Sequence, residues 1–275
     1  MRSKYIVKDL LLHVTNLLSP HIPRASREAQ LFLMHYLHVD ELWLLTNQQS
    51  VVEKDLTTLF EMVEQRVKNK PFEYIFNKVS FYSEEFYVDE GALIPRPETE
   101  LLIDEVLNNI KNKNDVLNFV EVGVGSGIVS IILALHLPNA KFLAIDISQK
   151  ALNVAKKNIE KFNLANRITL KNSSLLDGVD TKIDYLVSNP PYIANDAELE
   201  TNLSYEPQNA LFGGDVGDEI IKQLLDEVLN RGINYFTCEM GYDQKSKIQN
   251  YLQSNYSLEF YKDLSGFDRG FTLRI

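Results

Sequence analysis

The chain has 275 residues, 45% of them hydrophobic and 24% charged, with a formal net charge of −10. That length allows one domain of about 200 residues beside a small one. The single cysteine, Cys238, excludes an internal disulfide and a thiolate metal cluster. No apolar run reaches the ~18 residues a membrane helix needs, so no membrane association is expected. Lys4, Lys8 and Asp9 interrupt the apolar pattern of the first segment, which reads as no secretory leader and predicts a cytoplasmic protein. The acidic balance argues against duplex nucleic acid as the main substrate, because phosphate backbones call for a basic stripe.

Residues 4 to about 69 carry helical periodicity. Ile6, Leu10, Val14 and Leu17 form one stripe, and Leu31, Met34, Leu37 and Leu42 form others. Pro20 and Pro23 separate the first helix from a second over Ser26 to His38. A third is predicted from Val52 to Lys68, with Leu56, Leu59, Phe60, Val63 and Val67 inward. Residues 1–75 are therefore expected to form a small helical bundle. Residues 76–95 read as a β-hairpin linker, with apolar segments around Phe81 and Phe86-Tyr87-Val88. In Ile94-Pro95-Arg96-Pro97-Glu98-Thr99-Glu100, Pro97 suits a helix's first turn, and Glu98 and Glu100 complement its N-terminal dipole.

Beyond residue 96 the pattern alternates strands and helices, which predicts an α/β domain with a doubly wound parallel sheet. Asn118 to Val122 reads as a buried strand running into Gly123-Val124-Gly125-Ser126-Gly127, followed by an apolar helix from Ile128. Strand, glycine turn and helix in this order form a nucleotide-type binding unit, although G-x-G-x-G is not the dinucleotide fingerprint. A second strand ends at Asp146, placed to accept hydrogen bonds from ribose hydroxyls. Strands are further expected at Ile168 to Leu170, Ile183 to Ser188, Ile233 to Cys238, Leu258 to Tyr261 and Gly270 to Ile275. Helices are expected at Glu219 to Leu229 and Gln244 to Leu252.

The strand over Ile183 to Ser188 delivers Asn189-Pro190-Pro191-Tyr192 to the sheet's carboxyl edge. Two prolines remove two backbone donors and stiffen the loop. Asn189 Oδ1 and the Pro190 carbonyl then offer two acceptors to a planar –NH2 group, and Tyr192 offers an aromatic face. An amide and an exocyclic amine both fit that grip. The following segment is acidic (Asp196, Glu198, Glu200, Glu206, Asp215, Asp218 and Glu219), which favours a basic protein partner.

These residues resemble the class I methyltransferases that modify amino groups. The resemblance sharpens in Ile94 to Glu100, in Glu206-Pro207-Gln208-Asn209-Ala210-Leu211-Phe212-Gly213-Gly214-Asp215, in Glu239-Met240-Gly241 with Gln244, and in Asp263-Leu264-Ser265-Gly266 with Arg269. Together they are similar to the HemK-type peptide chain release factor glutamine methyltransferases over essentially the whole chain.

The resemblance implies a seven-stranded sheet whose last strand is antiparallel, over residues 96–275, and S-adenosylmethionine as cofactor. It implies an N-terminal domain that recognises the substrate protein, a peptide chain release factor. Catalysis would fall to Asn189, Pro190 and Tyr192, with Pro191 and Arg96 also touching substrate and Pro95 and Thr99 near the transferred methyl. Cofactor contacts would come from Glu121, Gly123, Val124, Gly125, Ser126, Gly127, Asp146 and Asn189. Ser174 and Leu175 stand where the family usually has an acidic residue and an aromatic against the adenine, with Asp177 as a substitute if the loop shifts. No metal, no direct nucleic acid and a monomer are expected. A ribosomal-protein glutamine methyltransferase, a DNA adenine-N6 methyltransferase and a non-catalytic cofactor-binding module are the alternative readings.

Overall fold

The computed structural model describes residues 3–199, 201–252 and 256–275; Glu200 of the acidic segment lies outside them. The chain forms two compact units, Met1–Asn77 and Lys78–Ile275.

The first unit contains β1 (Ser3–Ile6), α1 (Val7–Leu18), α2 (Ala25–Leu37), α3 (Glu41–Thr46), β2 (Val51–Lys54), α4 (Thr57–Val67) and α5 (Phe72–Phe76). The inward stripe of α1 is Val7, Leu10, Val14 and Leu18, so Ile6 and Leu17 of the expected stripe face solvent instead. On α2 the buried positions are Ala25, Ala29, Phe32 and Leu33, one register away from the stripe predicted through Leu31 and Met34. Val52 does not open a helix: β1 and β2 pair antiparallel, with Tyr5 opposite Val52. A pairing between segments nearly fifty residues apart leaves no local periodicity to read. Leu56, Leu59 and Val63 are buried as expected. Arg66 grips Glu28 through two parallel bonds of 2.8 and 3.0 Å and ties α4 to α2.

In the second unit a hairpin, β3 (Val79–Phe81) with β4 (Glu84–Phe86), buries Phe81 and Phe86 in the core of the larger fold. Then follow α6 (Thr99–Asn109), β5 (Asn118–Val122), α7 (Ile128–His136), β6 (Lys141–Asp146), α8 (Gln149–Lys161), β7 (Ile168–Asn172) and β8 (Tyr185–Ser188). The remainder comprises β9 (Ile193–Ala194), β10 (Phe212–Gly214), α9 (Glu219–Arg231), β11 (Tyr235–Glu239), α10 (Lys245–Leu252), β12 (Ser257–Lys262) and β13 (Asp268–Arg274). Seven strands form one sheet in the order β12-β13-β11-β8-β5-β6-β7. Within it β13 runs opposite to the other six strands.

Two apolar cores cover the sheet. One packs α6, α7 and α8 with residues such as Ile131, Ile132 and Val106. The other packs α9 and α10 with Leu224, Val228 and Ile248. The helix α7 is apolar on every face from Ile128 to Ala134 because those residues are all buried.

Asn158 on α8 is fully buried and binds main chain only. Its amide nitrogen donates to the carbonyls of Tyr87 and Ser126, both at 2.8 Å, and its oxygen accepts from Tyr87 N at 2.7 Å. It thus links the segment after the hairpin to the glycine turn. Replacing it by alanine strands these groups, and we expect Asn158→Ala to lower stability by about 3 kcal/mol. Chemical denaturation reads this as a lower midpoint at unchanged slope; an unchanged midpoint would show that the three contacts contribute nothing.

Candidate active site

The carboxyl ends of β5, β6 and β8 open into a cavity of about 350 Å³. Every site residue expected from the sequence lines it except two, Gly127 and Tyr192. Pro95 and Thr99 line it as well.

Glu121 is the fourth residue of β5 and is buried. Its Oε2 accepts from Ser130 N at 2.9 Å and from the Ser130 hydroxyl, in the first turns of α7. Burial pushes its carboxyl up to about 8; the two Ser130 bonds pull the other way, and the nearby Asp146 charge adds to the rise. Oε1 has no partner among the described residues, which suits it to a cationic group in the cavity.

Asp146 ends β6. Its Oδ2 accepts from Gly125 N at 2.9 Å and its Oδ1 from Ser148 N at 2.8 Å. Burial raises its carboxyl against these backbone bonds. Each oxygen retains a lone pair, so it can brace the glycine turn and still accept from vicinal hydroxyls. Gly127 supports from behind: at φ +85° it heads α7, and an added Cβ would lie 3.3 Å from Ala155 Cα on α8. It serves turn geometry and helix packing and does not line the cavity.

Ser174 and Leu175 lie on the wall, and Leu175 is held at φ +46°, a left-handed conformation that disfavours side chains. Asp177 does not join them on the wall. It is exposed and off the cavity wall, its carbonyl accepting from Lys171 Nζ at 2.7 Å and Ser173 Oγ at 2.9 Å.

The Asn189 loop is clasped from several sides. Ser188 Oγ donates to the Val122 carbonyl at 2.7 Å. The parallel pair β9–β10 lays Gly213 so close to Pro191 that any Cβ would collide with the Pro191 carbonyl. Gln244 Nε2 donates to the carbonyls of Tyr192 at 3.1 Å and Gly217 at 2.9 Å. Asn189 Nδ2 donates to Thr99 Oγ1 at 3.0 Å, and Thr99 Oγ1 donates to Glu239 Oε2 at 2.8 Å. Tyr192 stands behind the wall, half-buried, with its hydroxyl 3.4 Å from Glu239 Oε1.

The acidic segment is less of a surface patch than its composition suggests. Glu206 is buried, accepting from Arg96 Nη2 at 2.6 Å and from Ile94 N at 3.1 Å, which fastens the loop after the motif to the Pro95 turn. Asp218 is buried against Lys222. Asp196, Glu198 and Asp215 are exposed. The structural roles of Glu206 and Asn158 left no local sequence signal, since their partners lie 112 and 71 residues away. Cys238 is fully buried, and burial pushes its thiol up, which makes it a poor nucleophile. Among the described residues no group of three His, Cys, Asp or Glu side chains could hold a metal ion, and no helix is long and apolar enough to cross a membrane.

Comparison with known proteins agrees with this geometry. A family profile described as "Methyltransferase small domain" matches residues 97–211, and one described as "PrmC N-terminal domain" matches residues 9–76. A release factor glutamine methyltransferase of Clostridium botulinum is 38% identical, with 96% of this chain and 97% of that protein covered. Another from Mycoplasma mycoides is 34% identical over 88% and 90% of the two chains. The chain belongs to the release factor glutamine methyltransferase family. Among solved structures, the hMettl16 catalytic domain in complex with the MAT2A 3′UTR hairpin 6 superposes with a TM-score of 0.57 at 15% identity, covering 82% of this chain and 84% of that one. At that identity the likeness shows the class I methyltransferase fold alone.

Family membership makes S-adenosylmethionine the methyl donor, and the cavity fits it. The glycine turn allows close approach, the free Glu121 oxygen suits an ammonium, and the Asp146 carboxylate suits ribose hydroxyls. Asp146→Ala is expected to weaken cofactor binding by roughly tenfold or more, through lost charged hydrogen bonds and a loosened turn. Calorimetry decides this, and an unchanged Kd would refute the ribose assignment.

Glu121 also makes stability depend on pH. Its carboxyl sits near 4.5 in the unfolded chain and about 8 in the folded one. Between those values the native state holds a proton that the unfolded state has lost, so stability falls as pH rises through the interval. Glu239, raised to about 7, acts in the same direction. Glu121→Gln should flatten part of that decline in denaturation midpoints taken from pH 5 to 8; a variant declining as steeply as the parent would remove Glu121 as its source.

Proposed function

We propose that this chain transfers a methyl group to the side-chain amide nitrogen of glutamine, in the Gly-Gly-Gln loop of a peptide chain release factor. The observation that carries the reading is the orientation of Asn189. Its amide nitrogen is committed to Thr99, which leaves Oδ1 for the cavity, and no described group bonds the Pro190 carbonyl.

An amide nitrogen is a poor nucleophile because its lone pair is delocalised into the carbonyl. When bound, S-adenosylmethionine supplies a methyl group activated by a sulfonium, so the chain need only align the acceptor and stabilise charge developing on its nitrogen. Asn189 Oδ1 and the Pro190 carbonyl accept the two amide hydrogens and favour positive charge on that nitrogen. Pro191 and Tyr192 fix the loop's shape, Tyr192 from behind the cavity wall. Arg96, held by Glu206, closes the substrate side. Glu121, the turn from Gly123 to Gly127, Asp146, Ser174 and Leu175 hold the cofactor, with Asn189 at its reactive end.

The N-terminal unit, over residues 1–75, serves on this reading to recognise the substrate protein. The chain then acts as a cytoplasmic monomer without direct nucleic acid. The activity for which the relatives are named and the amide-gripping chemistry of the Asn189 loop support the glutamine-methylating reading.

Purified protein incubated with S-adenosylmethionine and a release factor should place one methyl on the Gly-Gly-Gln glutamine, mapped by peptide mass spectrometry and absent when that glutamine is alanine. Methylation elsewhere, or none with cofactor binding intact, would overturn the substrate assignment. Asn189→Ala should raise the barrier by about 3 kcal/mol with cofactor affinity little changed. Near-full turnover by that variant would sink the proposed role.

A further inference from the structure

Glu239 lies at the end of β11, next to β8, and Cys238 pairs with Ser188 across the two strands. The register therefore brings Glu239 alongside Asn189. Three hydrogen bonds join them into one relay: Tyr192 to Glu239, Thr99 to Glu239, and Asn189 to Thr99. Glu239 and Thr99 are each 1% exposed, so solvent does not compete for these bonds.

The direction of the relay follows from the groups in it. An ionised carboxylate can only accept. Thr99 has one hydroxyl proton, and pointing it at Glu239 leaves the Thr99 oxygen as an acceptor towards Asn189. Asn189 must then present its –NH2 to Thr99 and its Oδ1 to the cavity. A protonated Glu239 can itself donate to Thr99, which frees the Thr99 proton to turn towards Asn189. The amide is then satisfied in either orientation, and half of those orientations present –NH2 where the acceptor's own –NH2 must bind.

We propose that Glu239 is a positioning residue whose negative charge, relayed through Thr99, sets the Asn189 amide with its oxygen facing the substrate. The relay rests on the proposed amide-methylating role of Asn189 and adds to it a requirement for charge at a site that substrate never touches.

The groups around Glu239 leave it as the one that titrates near neutrality. Burial raises its carboxyl to about 7, against the bonds from Thr99 and Tyr192; the Glu98 charge raises it further and Arg269 lowers it. Arg269 is itself paired with Asp263. Cys238 on the same strand, Tyr192 on the motif and Tyr261 on β12 are all pushed upward from their ordinary values, chiefly by burial, and stay neutral. Arg96 acts on Tyr192 from the Pro95 turn, and Glu105 on Tyr261 from α6. Because the ionised form is the working one, turnover falls as pH falls.

Two measurements test the relay. The first follows kcat at saturating cofactor and release factor, where the parent protein should lose about twofold between pH 8 and pH 6 along a one-proton limb. Glu239→Gln should be slower at pH 8 and lack that limb, as should Thr99→Val, while Thr99→Ser restores it. The second needs no acceptor. The side-chain –NH2 resonance of Asn189, assigned by its loss in Asn189→Ala, should shift with pH around neutrality in the free protein and stay constant in Glu239→Gln and Thr99→Val. An Asn189 resonance that ignores pH, or that still titrates in Glu239→Gln, overturns the relay even if release factor is methylated. A titrating resonance with no methylation of release factor overturns the substrate assignment and leaves the relay standing.

Discussion

The site depends on the register between the three central strands of the sheet. Val122 pairs with Ser188, and Ser188 pairs with Cys238. One residue further along, Gly123, Asn189 and Glu239 come level at the carboxyl edge, where parallel strands leave a crevice. A slip of a single residue would turn every side chain of β8 to the other face and separate Asn189 from both neighbours. The serine hydroxyl on the Val122 carbonyl reinforces that register with a bond the ladder does not make.

Carboxylates carry most of the electrostatic work, and their environments separate their roles. Glu121 and Glu239 are both buried and both raised, yet one faces the cavity with an unpartnered oxygen and the other faces a threonine and a tyrosine. Asp146 is braced by two backbone N–H groups, which hold its oxygens in place for a ligand. Glu206 pairs with an arginine and fastens a loop. Burial favours the neutral form of Glu121, Asp146 and Glu239, and the identity of each carboxylate's partner separates binding, positioning and fastening.

The loop after the motif is shaped by close backbone approach. Gly213 and Gly217 lie where any side chain would collide with the Pro191 and Tyr192 carbonyls. Gln244 ties the Tyr192 carbonyl to that of Gly217 through one amide nitrogen. Two prolines, two glycines and one glutamine thus keep Asn189 still without any residue of the loop entering a long regular element.

Much of this was legible in the chain itself. Alternating strand and helix patterns, a glycine turn after a buried strand, an acid closing the second strand and Asn-Pro-Pro-Tyr closing the fourth are all local, and local chemistry specifies backbone conformation directly. Those features determined the sheet, the cavity's position and the residues of the Asn189 loop. Only the tertiary structure decided that β1 pairs with β2, that Tyr192 stands behind the cavity wall, that Glu206 and Asp218 are buried, and that Thr99, Asn189 and Glu239 share one hydrogen-bond chain. Each of those outcomes joins residues far apart in sequence, from about fifty for the N-terminal strand pair to 140 for Thr99 and Glu239. Periodicity and turn chemistry act over a few residues, whereas these contacts exist only once the strands are in register and water has been excluded from between them.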